Sequence, residues 1–159
     1  MQLFFEEKFL SGKMVITDAE KNPVYTGKKG TWIAGINLKD SEGKKIAKIV
    51  EYDGLFKKGF DIKVGRKKIA TVKKKMSLVN QKFSVKKLDW DITGNFVAKE
   101  YTIKKGDELI ATIKRDKLIA ITEGYSVDIV NDENAVAVVC VVLVLNSILR
   151  KKKGKLIKR

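Results

Sequence analysis

The sequence predicts an all-β domain wrapped around a single apolar helix near its C-terminus. Three features support this prediction: short segments that alternate apolar and polar residues, turn signals between them, and one unbroken apolar run from Ala135 to Leu145. The 159 residues fall in the single-domain range, in which about 70% of the unfolded surface is buried. A single proline and the absence of a Ser/Gly-rich tract argue against a linker, so we expect one domain with one core.

Alternating segments point to half-buried strands, because successive side chains of a strand face opposite sides of the sheet. The clearest examples are residues 60–64, 83–86, 101–104 and 125–129. Turn-forming residues separate such segments at 18–22, 40–43, 53–54, 93–95 and 105–107. This spacing is typical of a meander of antiparallel hairpins and suggests a closed or nearly closed sheet.

A weak internal echo runs through the strands. Gly43, Gly65 and Gly106 each precede a similar strand, beginning at residues 46, 69 and 110. The intervals are unequal and few residues are shared, so the echo indicates recurring hairpin chemistry, not a solenoid of fixed period.

The pattern changes at residue 131, where acidic and Asn residues precede the apolar run and four cations follow it before Gly154. These flanking residues fit the capping and dipole preferences of a helix, which we place at about 133–152. A helix that is apolar on every side must be buried in protein or in lipid. Residues 135–149 would give about 22 Å of helix, short of the roughly 30 Å of a bilayer core. A core helix is therefore favoured over a membrane anchor or a long central strand.

Several stretches together resemble the LURP-one-related family, which shares the tubby C-terminal fold with the phospholipid scramblases. The stretches are Leu3-Phe4-Phe5, Pro23-Val24-Tyr25, residues 43–49, Trp90 to Asn95, and Tyr125 to Ile129 leading into the apolar helix. The resemblance implies a closed antiparallel barrel of about twelve strands threaded by the C-terminal helix. It therefore implies a domain over residues 1–153 with a basic tail at 154–159. Family members often carry an acidic residue near the end of the helix, where this chain has Asn146.

Catalytic chemistry finds little support in the sequence, and we expect no enzyme, cofactor or metal. The chain contains no histidine, which removes His-based triads, His metal ligands and the usual general base. Cys140 lies within the apolar run, where burial would raise its pKa, so we interpret it as a packing residue. Gly54 and Gly59 are not followed by the Lys-Ser/Thr pair that a phosphate loop requires.

Two acidic clusters are candidates for acid–base or cation sites. Asp89 and Asp91 flank Trp90, and the simpler interpretation places the tryptophan in the core with both carboxylates in solvent. Asp128, Asp132 and Glu133 lack the ligand spacing of a calcium loop, and helix capping accounts for two of them.

The net charge of +15 favours polyanionic partners, although lysines also keep a protein soluble and protect strand edges. The 34 cations are nearly all lysine, so base-specific DNA reading is not expected. The candidate anion- or lipid-binding residues are the clustered lysines Lys73, Lys74, Lys75, Lys86, Lys87, Lys104 and Lys105.

The function hypothesis is a non-enzymatic binding or scaffold module that contacts anionic lipid headgroups, including phosphoinositides, at a membrane surface. Three alternatives stay open: a protein partner, nonspecific nucleic-acid binding, and a scramblase-like lipid-acting protein that uses the helix as an anchor. Nucleic-acid binding would require Tyr52, Phe56 or Tyr101 to lie exposed beside the lysines. With one cysteine and no signal peptide evident in the first residues, we expect a cytoplasmic protein, peripheral to the membrane.

Overall fold

A computed structural model of the chain contains a closed antiparallel barrel of twelve strands and one long helix. The structure describes residues 1–8, 12–29, 35–53, 58–75, 82–95, 98–116 and 124–157. The strands are β1 (Gln2–Lys8), β2 (Lys13–Thr17), β3 (Pro23–Lys29), β4 (Gly35–Asp40), β5 (Lys45–Asp53), β6 (Lys58–Val64), β7 (Lys67–Lys75), β8 (Lys82–Lys86), β9 (Trp90–Asn95), β10 (Glu100–Lys105), β11 (Glu108–Asp116) and β12 (Gly124–Ile129), followed by helix α1 (Ala135–Ile157).

Every strand pairs with its neighbours in the sequence, and the first strand closes the sheet against the last. In this closing pair Leu3 faces Val127 and Phe5 faces Tyr125. Closure removes the exposed edges that an open meander would leave unpaired. The predicted meander, its closure and the strand number implied by the family resemblance are therefore confirmed.

Alternation along each strand separates the interior of the barrel from its outer surface. Ile62, for example, lies opposite Ile49 on one side and Ala70 on the other, and all three are buried. The intervening positions are mostly polar and point outward. The interior side chains meet the helix, so that the core lies between the wall and α1.

Helix α1 fills the interior of the barrel. Val138, Val139, Val141 and Val144 are all 0% exposed, as a helix that is apolar on every side requires. The predicted core helix is confirmed, and the lipid-acting alternative, which needed this helix as an anchor, is wrong on that point. Within the part of the chain that the structure describes, no helix has the length and hydropathy needed to cross a membrane.

The ends of the helix differ from those predicted at about 133 and 152. A 3-10 turn over Asp132–Asn134 precedes α1, and Asn131 caps that turn by accepting a hydrogen bond of 3.0 Å from the Glu133 backbone N–H. At the other end the helix continues through Gly154 to Ile157. A glycine costs a helix only about 1 kcal/mol, and the neighbouring lysines are good helix formers, so Gly154 does not end it.

The repeated glycine pattern corresponds to three hairpins at the end of the barrel where the helix begins. Gly43, Gly65 and Gly106 have φ of +84°, +61° and +58°, a region that glycine adopts without strain. In each of these hairpins the pairing register shifts close to the turn. The repeated sequence therefore encodes one bulged hairpin, used three times.

The predicted turn at residues 93–95 is wrong, because these residues belong to β9. Gly94 lies opposite Tyr101 with φ of +148°, and a Cβ atom there would lie 2.4 Å from the carbonyl oxygen of Glu100. Glycine is required at this position for close approach of two strands, not for a turn.

A buried hydrogen bond fixes the middle of the helix to the barrel wall. The Tyr125 hydroxyl donates to Asn146 Oδ1 over 2.5 Å, and the two residues are 2% and 9% exposed. The buried Lys99 places its Nζ 5.1 Å from the centroid of the Tyr125 ring. Asn146 thus supplies the oxygen acceptor for this buried hydroxyl.

We expect Asn146→Leu to lower the free energy of unfolding by about 2 kcal/mol, because the buried Tyr125 hydroxyl loses its acceptor. Urea unfolding monitored by fluorescence measures this loss. The double variant with Tyr125→Phe serves as the control and should cost less than the sum of the two single changes. If the double variant instead loses as much free energy of unfolding as the two single variants together, the hydrogen bond does not couple the helix to the wall.

Candidate anion-binding surface and barrel mouth

A continuous row of lysines crosses the outer face of seven strands. Directly opposed residues on neighbouring strands form this lysine row, which comprises Lys8, Lys13, Lys28, Asn37, Lys48, Lys63 and Lys68. Lysine occupies every position except that of Asn37. Since neighbouring strands lie about 4.8 Å apart, successive ammonium groups can approach each other closely along the row.

The charges of the row are largely uncompensated. Lys8 lies 3.2 Å from Glu6 and Lys68 lies 3.9 Å from Asp61. In the described ranges, the other four lysines of the row have no carboxylate within ion-pair distance. Like charges directly opposed across a ladder destabilise a sheet, so the row costs the folded protein stability unless an anion neutralises it.

The centre of the row is less exposed than its ends. Asn37, Lys48 and Lys63 are half-buried, whereas Lys8 and Lys13 are exposed. Among the described residues, Asn37 Oδ1 is the buried side-chain oxygen with no hydrogen-bond partner. An oxygen with unfilled hydrogen-bonding capacity therefore lies on the ladder between Lys28 and Lys48.

A cleft of about 230 Å³ lies beside the centre of the row. Its lining includes Lys45, Lys48, Lys63 and Gly65. The antiparallel pairing of β5 and β6, in which Lys48 lies opposite Lys63, brings the end of β6 close to the start of β5. Three ammonium groups around one concave surface can neutralise a phosphorylated headgroup.

The lysines predicted from clustering are dispersed over the barrel. Lys73 is half-buried on β7 opposite Ser84, and the side chains of Lys74 and Lys75 lie outside the described part of the structure. Lys86 ends β8 opposite Thr71, and the Lys87 Nζ donates to the carbonyl oxygen of Lys68 over 3.1 Å. Lys87 therefore adjoins the lysine row.

The remaining predicted pair lies farther round the barrel, on the β10–β11 hairpin. Lys104 is opposite Leu109 and Asp91, and Lys105 is opposite Glu108. Acidic residues thus face this pair across the ladder, unlike the centre of the lysine row. The five predicted lysines whose side chains the structure describes therefore lie on different strands and hairpins and do not form one patch.

The three aromatic residues considered as nucleic-acid stacking platforms have different surroundings. Tyr101 is 4% exposed, and desolvation raises its pKa well above the usual range. Tyr52 is half-buried, and burial followed by the nearby Asp61 charge raises its pKa. Phe56 lies outside the described residues. Tyr101 therefore cannot stack on a base at the surface.

The acidic residues take the places that the simpler interpretation gave them. Trp90 is 3% exposed, with Asp91 exposed beside it and Asp89 in the preceding turn at φ of +55°. Asp132 lies in the 3-10 turn before the helix, 3.2 Å from the amino group of Met1. No group of three or more His, Cys, Asp or Glu side chains that could hold a metal ion occurs among the described residues.

Cys140 is fully buried in the N-terminal half of α1. Desolvation raises the pKa of its thiol from 9.0 to about 12. The thiolate is the reactive form of cysteine, so this side chain is chemically silent in the folded protein. The interpretation of Cys140 as a packing residue agrees with this position.

A second concave region lies at the opposite end of the barrel, where the helix leaves it. This mouth contains a cavity of about 250 Å³ between α1 and strands β1 to β4. Its polar lining consists of Glu7, Lys29, Asn146 and Ser147. Neither the mouth nor the lysine row can be recognised in the sequence, because their residues are far apart in the chain.

The fold defines a class of protein: a twelve-stranded meander barrel closed around its own C-terminal helix. The model of the LURP-one-related family matches residues 1–146, and the chain belongs to this family. The uncharacterized protein YxjI of Bacillus subtilis (strain 168) is 22% identical over 153 residues, which cover 94% of each chain.

The X-ray structure of a protein from Arabidopsis thaliana has the same fold. It superimposes with a TM-score of 0.68 at 17% identity, over 92% of this chain and 91% of the plant chain. At this identity the likeness concerns the fold alone.

If opposed charges in the lysine row repel each other, Lys63→Gln should raise the free energy of unfolding by about 0.5 kcal/mol at low ionic strength. The gain should disappear at high salt, where the charges are screened. Lys114→Gln is the matched control, because Lys114 on β11 faces Ser126 and not another cation. Equal effects of the two substitutions in urea unfolding would contradict repulsion within the row.

The buried thiol predicts a specific loss of stability in alkali. The pKa of the Cys140 thiol is higher in the folded protein than its value of 9.0 in the unfolded chain. The contribution of the neutral thiol to the free energy of unfolding is therefore complete below about pH 9 and is lost as the pH rises through about 12. Between pH 8 and pH 11 the wild type should lose at least about 1 kcal/mol more than Cys140→Ala. Urea unfolding at both pH values measures the difference, and identical losses would show that the thiol is not desolvated.

Proposed function

We propose that the protein is a non-enzymatic module that binds anionic lipid headgroups at a membrane surface through the centre of the lysine row. The observation that carries the proposal is the direct opposition of Lys48 and Lys63, neither of which has a carboxylate within ion-pair distance among the described residues. Repulsion between the opposed ammonium groups destabilises the free protein, and a bound anion removes this repulsion. Its natural partner is therefore a dense array of negative charge.

The curvature of the barrel limits which residues meet a planar membrane at the same time. The row crosses seven of the twelve strands, so its two ends lie on different sides of the molecule. A plane that touches β5 and β6 reaches Lys45, Lys48 and Lys63 together. Each lysine near an anionic membrane contributes about 1 kcal/mol, so these residues and their neighbours support reversible binding, not permanent anchoring.

The cleft beside these lysines gives the membrane contact a place for one headgroup. Three of the residues that line this cleft of about 230 Å³ are lysines, so it suits a phosphorylated headgroup better than an acyl chain. Lys48 and Lys63 are half-buried, so their stems are partly ordered before binding and lose less rotamer freedom. We therefore favour a phosphoinositide over phosphatidylserine as the preferred lipid.

Two features of the chain support the non-enzymatic part of the proposal. The chain contains no histidine, and Cys140 is inaccessible with a raised pKa. A role at the cytoplasmic face of a membrane, alone or with a protein partner, follows from the same proposal.

Nonspecific binding of single-stranded nucleic acid is the second candidate, and the length of the row favours it. A flexible polyanion can follow the row around the convex wall from Lys8 to Lys68, which a planar membrane cannot do. The burial of Tyr101 removes one of the stacking platforms on which such proteins depend. Lipid binding therefore remains the first proposal.

Flotation with liposomes tests the proposal directly. The wild type should float with phosphoinositide-containing liposomes at physiological salt and much less with neutral ones, whereas Lys48→Met/Lys63→Met should lose most of this binding. The matched control is Lys104→Met/Lys105→Met, which removes the same charge from the β10–β11 hairpin. Each variant keeps the aliphatic stem, so packing changes little.

Three results would overturn lipid binding through the row. They are no flotation of the wild type, equal losses in both double variants, or complete displacement by single-stranded oligonucleotide at equal charge. The last result would show that the row binds nucleic acid. The affinity would then fall with salt concentration to an extent set by the number of phosphates contacted.

A further inference from the structure

The mouth cavity combines hydrogen-bond donors with an apolar wall. The donors come from β3 and from the last buried turn of the helix: Lys29, Asn146 and Ser147. The apolar wall consists of Met14, Ile36 and Leu143. A concave site with a few polar groups against apolar side chains is the usual form of a small-molecule site, and about 250 Å³ suits a small ligand.

These donors have no other use in the described part of the structure. Asn146 Oδ1 accepts from Tyr125, and no further hydrogen bond of Asn146 occurs there, which leaves its amide N–H groups for a ligand. Lys29, exposed at the rim, has no carboxylate within ion-pair distance among the same residues, and the Ser147 hydroxyl has no hydrogen-bond partner among them. An ammonium, an amide and a hydroxyl therefore line one cavity as donors.

Gly27 gives the cavity its space. This residue faces inward on β3, and a Cβ atom there would lie 3.0 Å from Leu143 Cδ1. Any larger side chain would press on the helix and narrow the mouth. Because Gly27 has no side chain, the helix can lie close to the barrel wall at this point, and the mouth cavity beside it stays open.

Glu7 adds a carboxylate to the donor-rich wall. It is 7% exposed and already engaged by another group of the protein. A carboxylate has about four lone-pair positions, so one contact does not exhaust its acceptor capacity. A ligand that brings a second, cationic group can use this residue as well.

We propose that the mouth cavity binds a small molecule with a carboxylate on a short aliphatic body. The carboxylate accepts hydrogen bonds from Lys29, Asn146 and Ser147, and the aliphatic body packs against Met14, Ile36 and Leu143. Two sources of this chemistry exist, a simple short-chain acid and an aliphatic α-amino acid, whose ammonium group would lie beside Glu7.

The test is titration of the full-length 15N-labelled protein with sodium pentanoate and, separately, with L-norvaline, which adds an α-ammonium group to the same carbon skeleton. At least one probe should cause saturable shifts of the Gly27, Leu143, Asn146 and Ser147 amide signals, with a dissociation constant near or below about 1 mM. Tighter binding of norvaline identifies the amino acid as the ligand type, and tighter binding of pentanoate identifies the simple acid.

Adjacent lysines on β3 provide a matched pair of variants. Lys29→Met should weaken binding of the probe by at least about tenfold, because it removes a charged donor, and Ser147→Ala should weaken it severalfold. Lys28→Met removes the same charge from the outer face of the strand, where Lys28 belongs to the lysine row, and should leave probe binding unchanged.

The proposal fails if neither probe shifts these signals, or if Lys28→Met and Lys29→Met weaken binding equally. Either result leaves the lipid proposal untouched, since liposome binding concerns the outer face. Conversely, absence of flotation says nothing against the mouth site.

Discussion

The burial of a helix that is apolar on every side is the constraint on which the rest of the structure depends. Such a helix cannot lie on a surface, so the sheet must close around it. Closure fixes which face of every strand points inward, and the interior positions become apolar to match Val138 to Leu145. The polar residues are then forced outward, and a chain with a net charge of +15 acquires a densely cationic outer wall.

The two candidate sites are separate consequences of that arrangement. On the outside, the pairing register brings Lys48 and Lys63 into direct opposition, which costs stability and favours an anionic partner. At the mouth, the polar residues of the helix begin before it leaves the barrel, so Asn146 and Ser147 lie against the inner wall. Lys28 and Lys29, adjacent in sequence, face these two sites from opposite sides of one strand.

Much of the fold could be predicted because local patterns report it. Period-two alternation located β6, β8, β10 and β12, and the echo of Gly43, Gly65 and Gly106 marked three bulged hairpins. The candidate sites could not be predicted in this way. Lysine clustering in sequence is insensitive to register, so it selected Lys104 and Lys105, which face Leu109 and Glu108, and missed single outward lysines on separate strands. The predicted helix end at about residue 152 is wrong because a glycine such as Gly154 often ends a helix. Here the neighbouring lysines, which are good helix formers, outweigh the free-energy cost of one glycine.

The most direct test of the central claim is to map which face of the barrel approaches a membrane. Nanodiscs that contain phosphoinositide and a lipid with a spin-labelled headgroup would broaden the NMR signals of nearby residues in the labelled protein. The account predicts broadening concentrated at residues 45–48 and 63–65, with residues 104–105 unaffected. Broadening centred on the β10–β11 hairpin, or no broadening at physiological salt, would contradict it.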